Sequence, residues 1–69
     1  MNGSIVVNGL PERRSAGKLD ELLARLGYDR AASGIAVALN GRVVPRARWS
    51  DQAVEDGDEI DIVSAVQGG

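Results

Sequence analysis

Two Asn-Gly dipeptides, Asn8-Gly9 and Asn40-Gly41, each close a run of β-favouring residues. The dipeptide is the strongest short signal for a two-residue hairpin. The mirror-image turn that matches strand twist needs positive φ at both central positions, which Asn and Gly reach at least cost. Ser4 to Val7 therefore reads as a strand that turns into a second one, from Leu10 to about Arg14. Ile35 to Leu39 reads as a strand that turns into a short one around Arg42 to Val44. Pro11 and Pro45 have no N–H for a ladder, so the second strand is expected at an edge and the short one is expected to be interrupted at Pro45. Large and small apolar residues alternate in Ile35-Ala36-Val37-Ala38-Leu39. Ile35, Val37 and Leu39 should face a core, with Ala36 and Ala38 on the opposite side.

Between the hairpins, Leu19, Leu22, Leu23 and Leu26 fall at i, i+3, i+4 and i+7, which predicts a helix from Lys18 to Leu26 with one apolar face. Gly27 is placed to end it, and Asp20 and Glu21 sit near the positive end of its dipole. Tyr28 to Gly34 reads as a connection. Ser50-Asp51-Gln52-Ala53 is expected to cap a single helical turn. Asp56-Gly57-Asp58 then makes a tight turn into a strand from Glu59 to Ser64, where Ile60 and Ile62 alternate with charge. One helix on one face of a mixed sheet is the economical way to bury four leucines, and that helix also supplies the crossover a parallel pairing of first and last strands requires. The expected fold class is α+β, a β-grasp (ubiquitin-like) fold. Its core is expected from Leu19, Leu22, Leu23, Leu26, Val37, Leu39, Ile60 and Ile62. Residues 1–66 are expected to form this domain and 67–69 a flexible C-terminal tail.

Composition removes most catalytic options. At 69 residues the chain is one domain near the lower limit for a self-sufficient core, and a deep catalytic cleft is not expected. There is no Cys and no His, which excludes disulfides, Cys/His zinc sites, thiol nucleophiles and the commonest general base. Tyr28 and Trp49 are the only aromatics, too few for a base-stacking platform, and the net charge of -2 argues against nucleic acid. Glu55, Asp56, Asp58, Glu59 and Asp61 lack EF-hand spacing and read as a charged turn, with partner guidance as the other account and no metal expected. No charged n-region with an apolar h-region opens the sequence, and no apolar run approaches membrane-spanning length; a cytoplasmic protein that is not an enzyme is expected.

Chemistry then concentrates at the end of the sequence, where Gly68-Gly69 follows closely on the last expected strand. A carboxylate is a poor electrophile until one oxygen becomes a better leaving group, so a carrier using its terminus must insert it into an activating enzyme. Glycines suit a narrow channel because they lack Cβ atoms and reach backbone angles closed to other residues. From Ala65 to Gly69 an extended tail spans roughly 15 Å at about 3.3 Å per residue.

Val44-Pro45-Arg46 followed by Trp49, then Asp56-Gly57-Asp58, Ile60 and Val66-Gln67-Gly68-Gly69, together with Ala36-Val37-Ala38-Leu39-Asn40-Gly41, resemble the pattern of the ThiS family. These are ubiquitin-like sulfur carriers of thiamin (thiazole) biosynthesis. The likeness is specific from about Gly34 to Gly69 and rests mainly on the order of elements before that. It implies that an E1-like adenylyltransferase of the ThiF type adenylates Gly69 with ATP, that sulfur replaces AMP to leave a thiocarboxylate, and that a thiazole synthase of the ThiG type receives the sulfur. Gln67, Gly68 and Gly69 would enter the partner; the carrier itself would bind no cofactor, ATP being used by the activating enzyme. The small subunit of molybdopterin synthase shares the fold and the Gly-Gly end, and short length with Val-Pro-Arg and a downstream Trp favours the thiamin carrier over it. A ubiquitin-like interaction module that never acquires sulfur is the alternative of another class.

Ala36, Ala38 and Val43 are candidates for a partner surface on the sheet face away from the helix, the face by which ubiquitin-like proteins generally meet partners. Arg42 and Arg46, with Arg48 nearby, are candidates for a docking patch. Small exposed apolar residues are also ordinary surface, and arginines also keep an edge strand from aggregating. Trp49 reads first as a packing residue and second as a partner anchor.

Overall fold

The computed structural model describes residues 3–28 and 34–64. Strands β1 (Ser4–Val7) and β2 (Leu10–Arg13) precede helix α1 (Leu19–Arg25); β3 (Ile35–Leu39), β4 (Arg42–Val43), a 3-10 turn (Arg46–Arg48) and β5 (Glu59–Ser64) follow. The sheet order is β2-β1-β5-β3-β4. Pro11 accordingly lies on an edge strand, and β4 ends before Pro45. Asn8 and Gly9 have φ of 52° and 82°, and Asn40 and Gly41 have 52° and 86°, so both hairpins turn through paired left-handed residues. β1 and β5 run parallel with Val6 opposite Glu59 and Val7 opposite Ile60, while the other neighbouring pairs are antiparallel. This is the β-grasp arrangement.

The helix begins without a side-chain cap at Lys18. Its first N–H groups, which have no partner within a helix, are satisfied from the loop instead: Leu19 N donates to the Gln52 carbonyl at 2.8 Å and Asp20 N to that of Trp49 at 3.1 Å. Val54 N donates to the Gly17 carbonyl, and Lys18 bridges to Ala53, which binds the same loop along the approach to α1. The far end closes as a Schellman motif. Gly27, with φ of 96°, donates to the Ala24 carbonyl and Tyr28 N donates to that of Leu23 at 2.8 Å.

Leu19, Leu22 and Leu23 are buried against Ile5, Val7, Val37, Ile60 and Ile62, so the core lies between α1 and one face of the sheet. Val44, Trp49 and Val54 complete it, and they come from the segment that crosses beside the helix N-terminus. Leu26 and Leu39, expected inside, are only partly buried and pack against the margin. The helical turn expected at Ser50 to Ala53 is a correction: the 3-10 turn begins four residues earlier, after Pro45, whose φ of -59° starts it. Ser50 and Asp51 lie in the turn that follows, where Asp51 N donates to the Arg48 carbonyl, and Ala53 is the bridge to Lys18.

Candidate functional site

Strand β5, which leads to the end of the chain, is the central strand of the sheet. Its peptide groups are held by β3 along its length and by β1 over its first half. Asn40 N donates to the Glu59 carbonyl at 2.7 Å while Glu59 N donates to Asn40 Oδ1 at 2.8 Å, a reciprocal pair at the start of the strand. Asn40 Nδ2 also donates to Asp58 Oδ1 at 3.0 Å. Where β1 has ended, Ile62 N donates to Asn8 Oδ1 at 2.7 Å, so a side chain extends the parallel ladder past the last residue of β1. Ser64 lies opposite Ile35 and forms the base from which residues 65–69 continue. Gln67, Gly68 and Gly69, the expected insertion and attachment residues, lie outside the described residues.

The face of the sheet away from α1 is set by alternation. Since Ile60 and Ile62 are buried under the helix, Glu59, Asp61 and Val63 face the other way. Ala36 lies opposite Val63, and Ala38 lies opposite both Asp61 and Val43, so these residues share the open face next to β5. Val43 is 73% exposed and Val63 61% exposed. Ala36, Ala38 and Val43 are thus brought together, and Val63 joins them; the alternation of Ile60 and Ile62 was the signal for it. Arg42 is not part of that face. It pairs with Leu39 and so shares the helix side of the hairpin. Arg46 stacks its guanidinium over the Trp49 ring at 5.0 Å. Trp49 itself is buried and donates from Nε1 to the Val44 carbonyl at 2.9 Å, which fixes it as a packing residue.

Two carboxylates of the acidic turn are engaged within the domain. Asp56 Oδ1 meets Arg14 Nε at 2.6 Å, and Asp58 Oδ2 accepts from Glu55 N at 2.8 Å. Among the described residues no group of three or more His, Cys, Asp or Glu side chains is placed to hold a metal ion, and no helix is long and apolar enough to cross a membrane.

A small mixed sheet in this strand order, with one helix on one face and an apolar patch on the other, defines a ubiquitin-like protein. Residues 4–69 match the model of the ThiS family. The chain belongs to that family. It is 36% identical over 66 residues to the sulfur carrier protein ThiS of Escherichia coli (strain K12), an alignment covering 94% of this chain and 97% of that protein. It is also 36% identical over 66 residues to a thiazole synthase of Paramagnetospirillum magneticum, covering 94% of this chain but 20% of that larger protein. The crystal structure of the thiamine biosynthesis protein ThiS from Geobacter metallireducens superposes with a TM-score of 0.78 at 33% identity, with both chains covered in full. A solution structure of a thiamine biosynthesis protein from the same organism gives 0.72 at 31% identity, covering all of this chain and 88% of the other.

Proposed function

We propose that this chain is the sulfur carrier of a thiamin pathway and that the carboxylate of Gly69 is the group loaded. The observation that carries this is the match to the ThiS family through residue 69, in a chain whose central strand is followed in sequence by Gly68-Gly69. In the activating enzyme, a Gly69 carboxylate oxygen attacks the α-phosphorus of ATP, pyrophosphate leaves and a mixed anhydride with AMP forms. A sulfide-level nucleophile then adds to the acyl carbon, the bond to AMP breaks, and a thiocarboxylate remains. Gln67 and Gly68 pass through the partner's channel, where the missing Cβ of glycine admits backbone to a narrow space.

The carrier has no catalytic residue in this scheme and binds no ATP of its own; an E1-like adenylyltransferase of the ThiF type supplies that chemistry. Thiazole synthase of the ThiG type takes the sulfur. A thiazole synthase in which one fifth of the chain is related to this domain supports that pairing, since carrier and acceptor sequences then occur in one polypeptide. The open sheet face of Ala36, Ala38, Val43 and Val63 is the surface by which the domain docks while its tail is threaded. The setting is cytoplasmic, where ATP and the acceptor are available.

The test is an intact mass after incubation with ATP, a sulfur source and the activating enzyme. The expected product carries one oxygen replaced by sulfur, and the label should pass to thiazole synthase and not to the large subunit of molybdopterin synthase. An unchanged mass, or delivery to the molybdopterin enzyme alone, would overturn the assignment.

A further inference from the structure

At the β3–β4 hairpin a cleft of about 480 Å³ opens on the helix side, lined by Leu39, Arg42, Val44, Pro45, Arg48 and Gln52 among others. Its floor is apolar and its rim carries two guanidinium groups. Neither Arg42 nor Arg48 forms an ion pair with a carboxylate among the described residues, although the chain has ten acidic side chains. Asp58, which lies against Asn40 beside the hairpin, is engaged with Asn40 Nδ2 and Glu55 N. Two such cations on the rim of an apolar cleft in an acidic protein, of pI near 4.9, are a local reversal of the molecule's charge.

The backbone beside the cleft is also open. Leu39 and Arg42 close the two-residue turn, and Val44 N donates to the Val37 carbonyl, so alternation directs the peptide groups of Val43 between them away from β3. β4 is the last strand of the sheet and offers these groups outward. We propose that this edge and cleft together bind an extended acidic segment of a partner protein by strand addition. Val43 pairs with its backbone, a carboxylate lies between Arg42 and Arg48, and an apolar side chain two residues along the segment rests on Leu39, Val44 and Pro45. Charge complementarity selects the occupant, and the exposed edge selects a peptide over a free anion.

The site is separate from the tail. Leu39 is level with Ile60, four residues before Ser64, which puts the cleft about 13 Å back along β5 from the base of the tail. The cleft is lined by none of the residues proposed to carry sulfur, and its test requires no sulfur chemistry.

The probe is an acetylated, amidated nine-residue peptide with glutamate and leucine at alternate positions on one strand face and threonine on the other, titrated into the full chain labelled with ¹⁵N. Amide shifts are expected at Leu39, Arg42, Val43 and Val44 and in the Gln52 side chain. Affinity should fall at least tenfold between low and high salt, and at least tenfold in the Arg42→Glu/Arg48→Glu double variant. A peptide with lysine in place of glutamate should leave the cleft unshifted. The proposal is overturned if the cleft shows no shifts at millimolar peptide, if the shifts fall on Ala36 and Val63 instead, or if the lysine peptide binds equally. It is also overturned if free glutarate reproduces the shifts at the same concentration, which would make this a small-anion site. The salt, lysine-peptide and glutarate arms use the unmutated protein and decide the matter even if the double variant does not fold.

Discussion

Asn8 and Asn40 share a φ of 52° and both accept a β5 N–H through Oδ1, yet only Asn40 also donates from its side chain. Asn8 uses its oxygen, accepting from Ile62 N; Asn40 uses its oxygen toward Glu59 N and its nitrogen toward Asp58. Asp tolerates the left-handed conformation and keeps an acceptor oxygen, so Asn8→Asp should change stability by less than about 0.5 kcal/mol. Asn40→Asp removes a donor and sets a new negative charge against Asp58, and should cost about 1–2 kcal/mol. Urea denaturation of the two variants measures the difference, and equal losses would contradict the assignment of separate roles. Both turns were legible from their dipeptides, because turn chemistry is local. The reach of each side chain to β5 was not, since it spans 54 and 19 positions and depends on which strands become neighbours. Gly3 is a further residue that only the structure explains: a Cβ there would lie 1.9 Å from Asp56 Oδ1 and 2.8 Å from Arg14 Nε. Gly3→Ala should displace that partly exposed ion pair and cost under about 1 kcal/mol, because such pairs contribute little in water. Thermal melts compared with those of Asp56→Ala should give matching losses.

At the scale of elements, α1 and the crossing segment that carries Trp49 depend on each other. Leu22 is fully buried, and Leu22→Ala should cost about 2–5 kcal/mol through lost burial and a residual cavity, a large share of the stability of so small a domain. Trp49→Phe keeps much of the ring volume but leaves the Val44 carbonyl without its indole donor, with an expected loss of about 1–3 kcal/mol. Because the Trp49 carbonyl also accepts from Asp20 N, loosening this residue should speed hydrogen exchange at Asp20 and Leu19 more than at Leu26, which bonds within the helix. Uniform exchange along α1 would mean that the loop does not cap it. The helix was legible because four leucines define its face. The segment from Val44 to Val54 was not, since its buried residues, Val44, Trp49 and Val54, follow neither a 3.6-residue nor a 2-residue period. Ser50-Asp51 resembles a cap by residue type, but the helical geometry goes to the residues after Pro45, and Ser50-Asp51 turns the chain toward α1.

For the whole molecule, fold and proposed chemistry are separable, because the core lies between α1 and the sheet while the group proposed to react belongs to Gly69, five positions after Ser64 in sequence. The order of elements made the fold readable before any coordinates. The attachment point proposed at Gly69 rests on chemistry alone, because a carboxylate's reactivity depends on its being terminal and not on its packing. The sharing of the open face by Ala36, Ala38, Val43 and Val63 needed the pairing register, as did the separation of Arg42 from it. Separability gives a direct prediction: one alanine added after Gly69 should abolish thiocarboxylate formation and leave the melting temperature within error of the original. The addition converts the Gly69 carboxylate to an amide, moves the new carboxylate one residue further along the partner's channel, and places a Cβ where glycine had passed. Leu19, Leu22, Leu23, Val37, Ile60 and Ile62 are buried between α1 and the sheet and should be unaffected. Intact mass and thermal melts on the two proteins, run side by side with the activating enzyme, make the comparison. Full sulfur loading of the extended chain would rule out chemistry at the terminal carboxylate, and loss of the melt would show that the end of the chain supports the fold after all.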